Sequence, residues 1–257
     1  MIIRTIETPF AEMQINADFE VSYTTSSGNS TIIPMSHTWT HIAVQVSGGL
    51  DSTMLLYLTA KTIKDYNLTT KIIPVSIEVP NKAKNLESSR NVIKQISALL
   101  DFNQWGNILE YIMPVESAEP PLKDIFFRKI MADLLRSNIA QFEFNGNTKN
   151  PPGAIRRHFK NDLYRQLTRD DRQTIYNWSD SASPHAFMDK KDIVELYIKF
   201  GVLDSLAPLT LSCDENIDII ELENMSVPCT TCWWCCERAW GFMANAHSAE
   251  KSYEYTK

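Results

Sequence analysis

No cysteine stands in the first 212 residues. No apolar run approaches the roughly 18 to 20 residues that cross a bilayer, so no membrane partner is expected. The opening stretch MIIRTIETPFAEMQIN lacks a basic start followed by an apolar block, and the cytoplasm is the expected location. Basic residues are not in excess: Lys+Arg total 25 against 31 Asp+Glu, for a net charge of −6. That balance argues against a broad nucleic-acid-binding face, so no stable nucleic-acid partner is expected, although a local basic groove is not excluded. Internal repeats and low-complexity segments are absent as well. What is present is the profile of a folded soluble protein, with 44% hydrophobic and 22% charged residues over 257 positions. That length suffices for one large or two small domains and for a core without disulfide support.

The order of patterns gives the fold class. Residues 1–40 read as a β extension, with FEVSYTTSSGNSTII forming a hairpin about a Ser-Ser-Gly-Asn turn. From position 41, strand and helix patterns alternate. HIAVQV, KIIPVSIEV, NILEYIMPV and QFEFNG are strand-like. DSTMLLYLTAKTIKDY, LESSRNVIKQISALLDF and PLKDIFFRKIMADLLRSNIA have helical spacing. Alternation of this kind implies βαβ units and a parallel sheet, an α/β domain over 41–183. Residues 148–183 are polar and read as a long loop with one or two short helices. Residues 184–257 form a C-terminal helical region. Its clearest helix is DKKDIVELYIKFG, with Asp189 as cap and Gly201 as terminator.

Ligands of parallel sheets lie beyond the carboxyl ends of the strands. The stretch VQVSGGLDSTMLLYL puts Ser47, Gly48, Gly49, Leu50, Asp51, Ser52 and Thr53 there, between a strand and a helix. Gly146 and Asn147 follow the fourth strand at the same edge. Free N–H groups at the start of a helix attract anions, and adjacent glycines let a phosphate come close. Ser47, Ser52 and Thr53 could add hydroxyl donors. Asp51 would repel a bare phosphate, so it suggests a nucleotide accompanied by Mg²⁺. The turn has no lysine, which excludes the Walker A loop, and the pattern G-x-G-x-x-G is absent too. The competing reading is a tight strand-to-helix turn capped by Ser or Asp.

All five cysteines lie at the far end. Cys229, Cys232 and Cys235 are spaced C-x2-C-x2-C, and Cys213 lies 16 residues before the first of them. Four thiolates suit a tetrahedral Zn²⁺. A redox pair and an iron–sulfur cluster stay open. Cys236, directly after a ligand, reads as core.

The S-G-G-x-D-S turn resembles the pyrophosphate loop of the PP-loop ATP pyrophosphatase superfamily. Together with the tail, the chain resembles the 7-cyano-7-deazaguanine synthases of that superfamily. Ser212-Cys213, Cys229, Cys232, Cys235, Arg238 and Phe242 match the family's cysteine tail. Pro184, Lys190 and Ile193 match its P-x5-K-x2-I motif. The resemblance covers about positions 41–245. It implies an adenine nucleotide alpha hydrolase-like (Rossmann-like) fold with a zinc-binding C-terminal region. It also implies ATP, Mg²⁺ and Zn²⁺ as cofactors, and an ATP-dependent C–N ligase.

The implied chemistry starts with the carboxylate of a deazapurine acid, 7-carboxy-7-deazaguanine, attacking the α-phosphate of ATP. Pyrophosphate leaves into the Ser47–Ser52 turn, ammonia displaces AMP, and a second activation dehydrates the amide to the nitrile. Asp51, Ser47 and Lys190 are the candidate catalytic residues. Lys190 is read as a phosphate contact or as a solvated lysine in the first turn of a helix. Arg238 packs near the zinc loop or pairs with an acid, and Arg156 and Arg157 are loop cations. A homodimer is an open assembly.

The segment SIEVPNKAKNLES lacks the family's Tyr-Gly-Gln-x-His residues, the Cys213–Cys229 spacer is long, and TKNPPGAIRRHF replaces a Tyr-Pro-Asp-like stretch. The same reaction and the activation of a different acid or nucleobase therefore both stay open. A thiolase with cluster-binding cysteines and a zinc module or ligase acting on a protein are the rival classes.

Overall fold

A computed structural model describes residues 17–78, 85–114, 122–151, 180–211 and 233–245 of the chain. Two strands, β1 (Phe19–Thr24) and β2 (Ser30–Met35), pair antiparallel as the expected hairpin. Gly28, at φ +84°, makes its turn. A five-stranded sheet follows, built from β3 (His41–Gln45), β4 (Lys71–Glu78), β5 (Leu109–Ile112), β6 (Phe142–Phe144) and β7 (Ser181–Ala182). Every pairing in it is parallel, and the spatial order is β5-β4-β3-β6-β7. The chain moves outward from β3 to one edge and then returns to the other side of β3. That is the doubly wound arrangement, with its topological switch point between β3 and β6.

Helices α1 (Leu50–Asp65), α2 (Asn85–Leu100) and α3 (Leu122–Arg136) connect the strands. α4 (Lys190–Lys199), the short α5 (Leu203–Leu206) and α6 (Trp233–Met243) lie after the sheet. One face of the sheet packs on α1, α2 and α4 through Ile42, Val44, Leu55, Ile96 and Ile193. The other packs on α3 through Ala43, Ile73, Val75, Met131 and Leu134. Alternate residues of β3 thus enter different cores, which is why HIAVQ reads as an unbroken apolar run.

The helical spacing of Met54, Leu55, Leu58 and Ile63 falls in α1, and the helix is buried almost all round. Its outer side lies under the hairpin and α4: Tyr23 Oη is 2.7 Å from Thr62 Oγ1, and Phe200 sits against Tyr23 and Tyr57. The two threonines that would be wet on an exposed helix, Thr59 and Thr62, donate to the carbonyls of Leu55 and Leu58 (2.8 Å each). The larger core draws on Ile33 and Met35, on the central α/β segment, and on Ile193, Leu206 and Phe242. All three stretches, 1–40, 41–183 and 184–257, therefore contribute to it.

β7 corrects the end of 148–183, a stretch read as a long loop with one or two short helices. Its two residues carry no strand pattern of their own and join the sheet by pairing with Glu143 and Phe144. Most of that stretch, including Arg156 and Arg157, lies outside the described residues. No helix among the described residues is long and apolar enough to cross a membrane.

Candidate active site

The glycine turn sits directly after β3, at the switch point. Gly48 adopts φ +74°, and a Cβ there would meet Ser88 Cβ at 2.9 Å and Asn85 O at 3.0 Å. Both the left-handed backbone and the contact with α2 require glycine. Gly49 is the N-cap of α1, and no side chain caps the helix's first turn. The first N–H groups of a helix have no partner within it, so this end of α1 offers donors and partial positive charge at the sheet's carboxyl edge.

The turn is tied internally and from two sides. Ser52 Oγ accepts from Ser47 N (3.1 Å) and lies 3.0 Å from Ser47 Oγ and 3.2 Å from Gly49 O. Ser47 is exposed, whereas Leu50, Ser52 and Thr53 are buried. Thr53 Oγ1 is out of solvent without a hydrogen-bond partner. Leu211 N donates to Gly48 O (2.8 Å), and Ser88 Oγ reaches the carbonyls of Gly48 (3.1 Å) and Leu209. Gly146, after β6, lies so close to the start of α1 that a Cβ would stand 3.1 Å from Ser52 Cα and N. Asn147 is exposed beside it, and its N–H donates to Asn145 Oδ1 at 3.3 Å. The predicted partners after the first and fourth strands are thus brought together.

Lys190 is not a solvated lysine. Its side chain is 4% exposed, and its ammonium pairs with Asp51 Oδ2 and lies 3.7 Å from Glu237 Oε2. Asp51 on α1, Lys190 on α4 and Glu237 on α6 form a line of alternating charge across three helices. Three anchors hold it. Asp189 and Asp192 form a reciprocal capping box at the start of α4. Tyr197 Oη donates to Leu50 O (2.8 Å). A Cβ on Gly241 would fall 2.8 Å from Lys190 O, so α6 and α4 are in backbone contact there. The other Asp51 oxygen, Oδ1, is out of solvent with no hydrogen-bond donor.

His185 is a site residue that the sequence reading did not single out. It is fully buried, and its Nδ1 lies 2.7 Å from Thr31 Oγ1 on the hairpin. Its Nε2 has no hydrogen-bond partner. Burial holds the ring's pKa down at about 4; Asp51 pulls it up, and Lys190 adds to the depression. The imidazole is therefore neutral near pH 7. Nothing but the Pro184–Lys190 motif around it marks His185 in the sequence. Only the fold brings Thr31 to it.

Arg238 is buried, donates to Thr210 Oγ1 (2.6 Å) and Ala207 O (3.0 Å), and lies over the Phe242 ring. It thereby fastens the segment that touches Gly48 and leads to Cys213. Cys235 is buried in the first turn of α6, while Cys236, expected in the core, is half-buried. Cys213, Cys229 and Cys232 lie outside the described residues.

Fold and edge together define a doubly wound α/β protein with an anion-seeking helix start and a buried cation at its switch point. No protein-family model matches the chain, and no curated protein matches it. Among solved structures, it is similar to the U34-tRNA thiolase NcsA from Methanococcus maripaludis, solved with its 4Fe-4S cluster: 14% identity, TM-score 0.39, covering 63% of this chain and 57% of that one. It is also similar to NAD+ synthetase from Burkholderia pseudomallei: 10% identity, TM-score 0.37, covering 85% of this chain and 83% of that one. The chain spans less than two thirds of the thiolase's length. Identity this low does not carry over either protein's reaction.

Proposed function

We propose that the chain is an ATP-dependent enzyme of the PP-loop type, which cleaves ATP between its α and β phosphates to adenylate an acceptor. The observation that carries this reading is the Ser47–Ser52 turn at the uncapped start of α1, with Lys190 held against Asp51. In this reading the first-turn N–H groups of α1 and the Ser47 hydroxyl receive the leaving pyrophosphate. Gly49 and Gly146 keep the approach open. Lys190, held beside Asp51, meets the phosphates from there. Fixed donors of this kind stabilise developing charge at little reorganisation cost.

Asp51 Oδ1, an acceptor without a donor, would hold a Mg²⁺ ion. Bound there, the ion would neutralise charge on the leaving group.

The finer reading is a 7-cyano-7-deazaguanine synthase-type ligase that takes 7-carboxy-7-deazaguanine and ammonia. Its support is the joint match of the cysteine tail with Pro184, Lys190 and Ile193. In it, Cys213, Cys229, Cys232 and Cys235 hold a structural Zn²⁺, which their spacing suits. Cytoplasmic location, absence of a stable nucleic-acid or membrane partner, and a homodimer belong to the same reading. The second reading is adenylation of another carboxylate or nucleobase, thiolation included. The missing family residues in SIEVPNKAKNLES favour it.

Incubation with ATP, Mg²⁺ and ammonia, with and without 7-carboxy-7-deazaguanine, separates the two. AMP and pyrophosphate formed only with that acid support the synthase. ATP turnover with a different acceptor removes the synthase and keeps the ATP chemistry.

A further inference from the structure

The hairpin lies outside every motif that points to ATP, yet its turn is bonded to the helix that carries Lys190. The Asp192 carboxylate is buried in the first turn of α4. Oδ1 accepts from Ser27 Oγ (2.7 Å) and lies 3.4 Å from Thr25 Oγ1. Oδ2 accepts from Asn29 Nδ2 (2.8 Å) and from Asp189 N (3.1 Å), the cap of α4. One carboxylate therefore joins the hairpin turn to the helix start two residues from Lys190.

Parallel ties run along the same seam. The N–H and hydroxyl of Ser26 both donate to Glu195. Ile32 N donates to Pro184 O (3.2 Å), and Thr31 Oγ1 meets His185 Nδ1. The segment from Pro184 to Glu195 is thus gripped by the hairpin at both ends, with Lys190 between them. A hairpin serving only to cover α1 would need its apolar face, which Tyr23 and Ile33 supply. It would not need a buried carboxylate satisfied by three turn side chains.

We propose that the β1–β2 hairpin is a working part of the site, its turn residues Ser27 and Asn29 acting through Asp192 as positioning residues that hold Lys190 at Asp51. The catalytic consequence rests on the ATP reading; the positional claim does not.

The test is Ser27→Ala combined with Asn29→Ala, at one exposed and one half-exposed turn position. The first readout is the rate at which N-hydroxysuccinimide acetate acylates Lys190 in the full chain, followed by peptide mass spectrometry well below the melting temperature. The expected result is labelling at least about tenfold faster than wild type, from the loss of two hydrogen bonds to a charged group, with Lys61 and Lys64 unchanged. Equal labelling of Lys190 in the two proteins overturns the proposal.

The second readout is a double-mutant cycle on ATP turnover. A positioning role predicts that the turn variant slows a chain with Lys190 and has no further effect on Lys190→Met. Additive losses, as a general structural role would give, overturn it. If the double variant does not fold, Asn29→Ala alone takes its place in both readouts. A wild-type chain that neither binds nor turns over ATP removes the proposed function, and the labelling result then still decides the positional claim.

Discussion

Gly48→Ala tests whether the turn's glycines have the distinct roles that their surroundings assign. The new methyl would stand 2.9 Å from Ser88 Cβ and 3.0 Å from Asn85 O, at a residue whose φ is +74°. Left-handed backbone costs an alanine about 1–2 kcal/mol. Forcing a methyl into a packed contact costs about 1–3 kcal/mol more, and the main-chain atom of Asn85 cannot rotate away. The loss should therefore be about 2–5 kcal/mol, or roughly 4–20 °C in melting temperature for a chain of this size.

Gly49→Ala is the control. Its φ is −85°, and its methyl would meet only Ser47 Oγ at 3.3 Å and Leu211 O at 3.5 Å. It should stay within about 1 kcal/mol of wild type, since the nearest neighbour is a side chain that can give way. Urea unfolding of the two variants beside wild type measures both values. A Gly48→Ala chain within about 1 kcal/mol of wild type, or a larger loss in Gly49→Ala, would contradict the roles assigned to the two glycines.

Three further outcomes are expected. His185 has a folded-state pKa of about 4 against an ordinary 6.5, so the unfolded chain takes up its proton first as the pH falls. Its contribution is complete above pH 6.5 and declines toward pH 4, by up to about 3 kcal/mol; urea midpoints should show a slope over that window that His185→Gln reduces. Lys190→Met leaves Asp51 and Glu237 without the cation between them and should lower stability by about 3 kcal/mol at pH 7; no loss in urea titration would contradict the buried charge line. On the synthase reading, metal analysis should find about one zinc per chain and loss of it in Cys232→Ser, whereas iron with sulfide would replace the structural-zinc reading by a cluster.

The sheet and its edge were legible because their signals are local. HIAVQ is apolar on both faces, the following helix begins on two glycines, and Asp189 announces the start of α4. The features the sequence did not disclose depend on partners distant along the chain. β7 has two residues and no pattern, so only Glu143 and Phe144 make it a strand. Lys190 in a first helical turn reads equally as solvated until α6 covers it with Glu237 and Gly241. The all-round burial of α1 comes from Tyr23 and Phe200, which lie in segments before and after the α/β stretch. His185 and Asp192 acquire meaning only from Thr31, Ser27 and Asn29, more than 150 residues earlier.

The bond cut in ATP distinguishes α–β cleavage from the loss of the terminal phosphate. ATP labelled at the α-phosphate, incubated with Mg²⁺ and a panel of carboxylic acids with ammonia, should yield labelled AMP and equimolar pyrophosphate, and Asp51→Asn should abolish both. Labelled ADP with inorganic phosphate, or AMP formation undiminished in Asp51→Asn, would contradict the PP-loop reading.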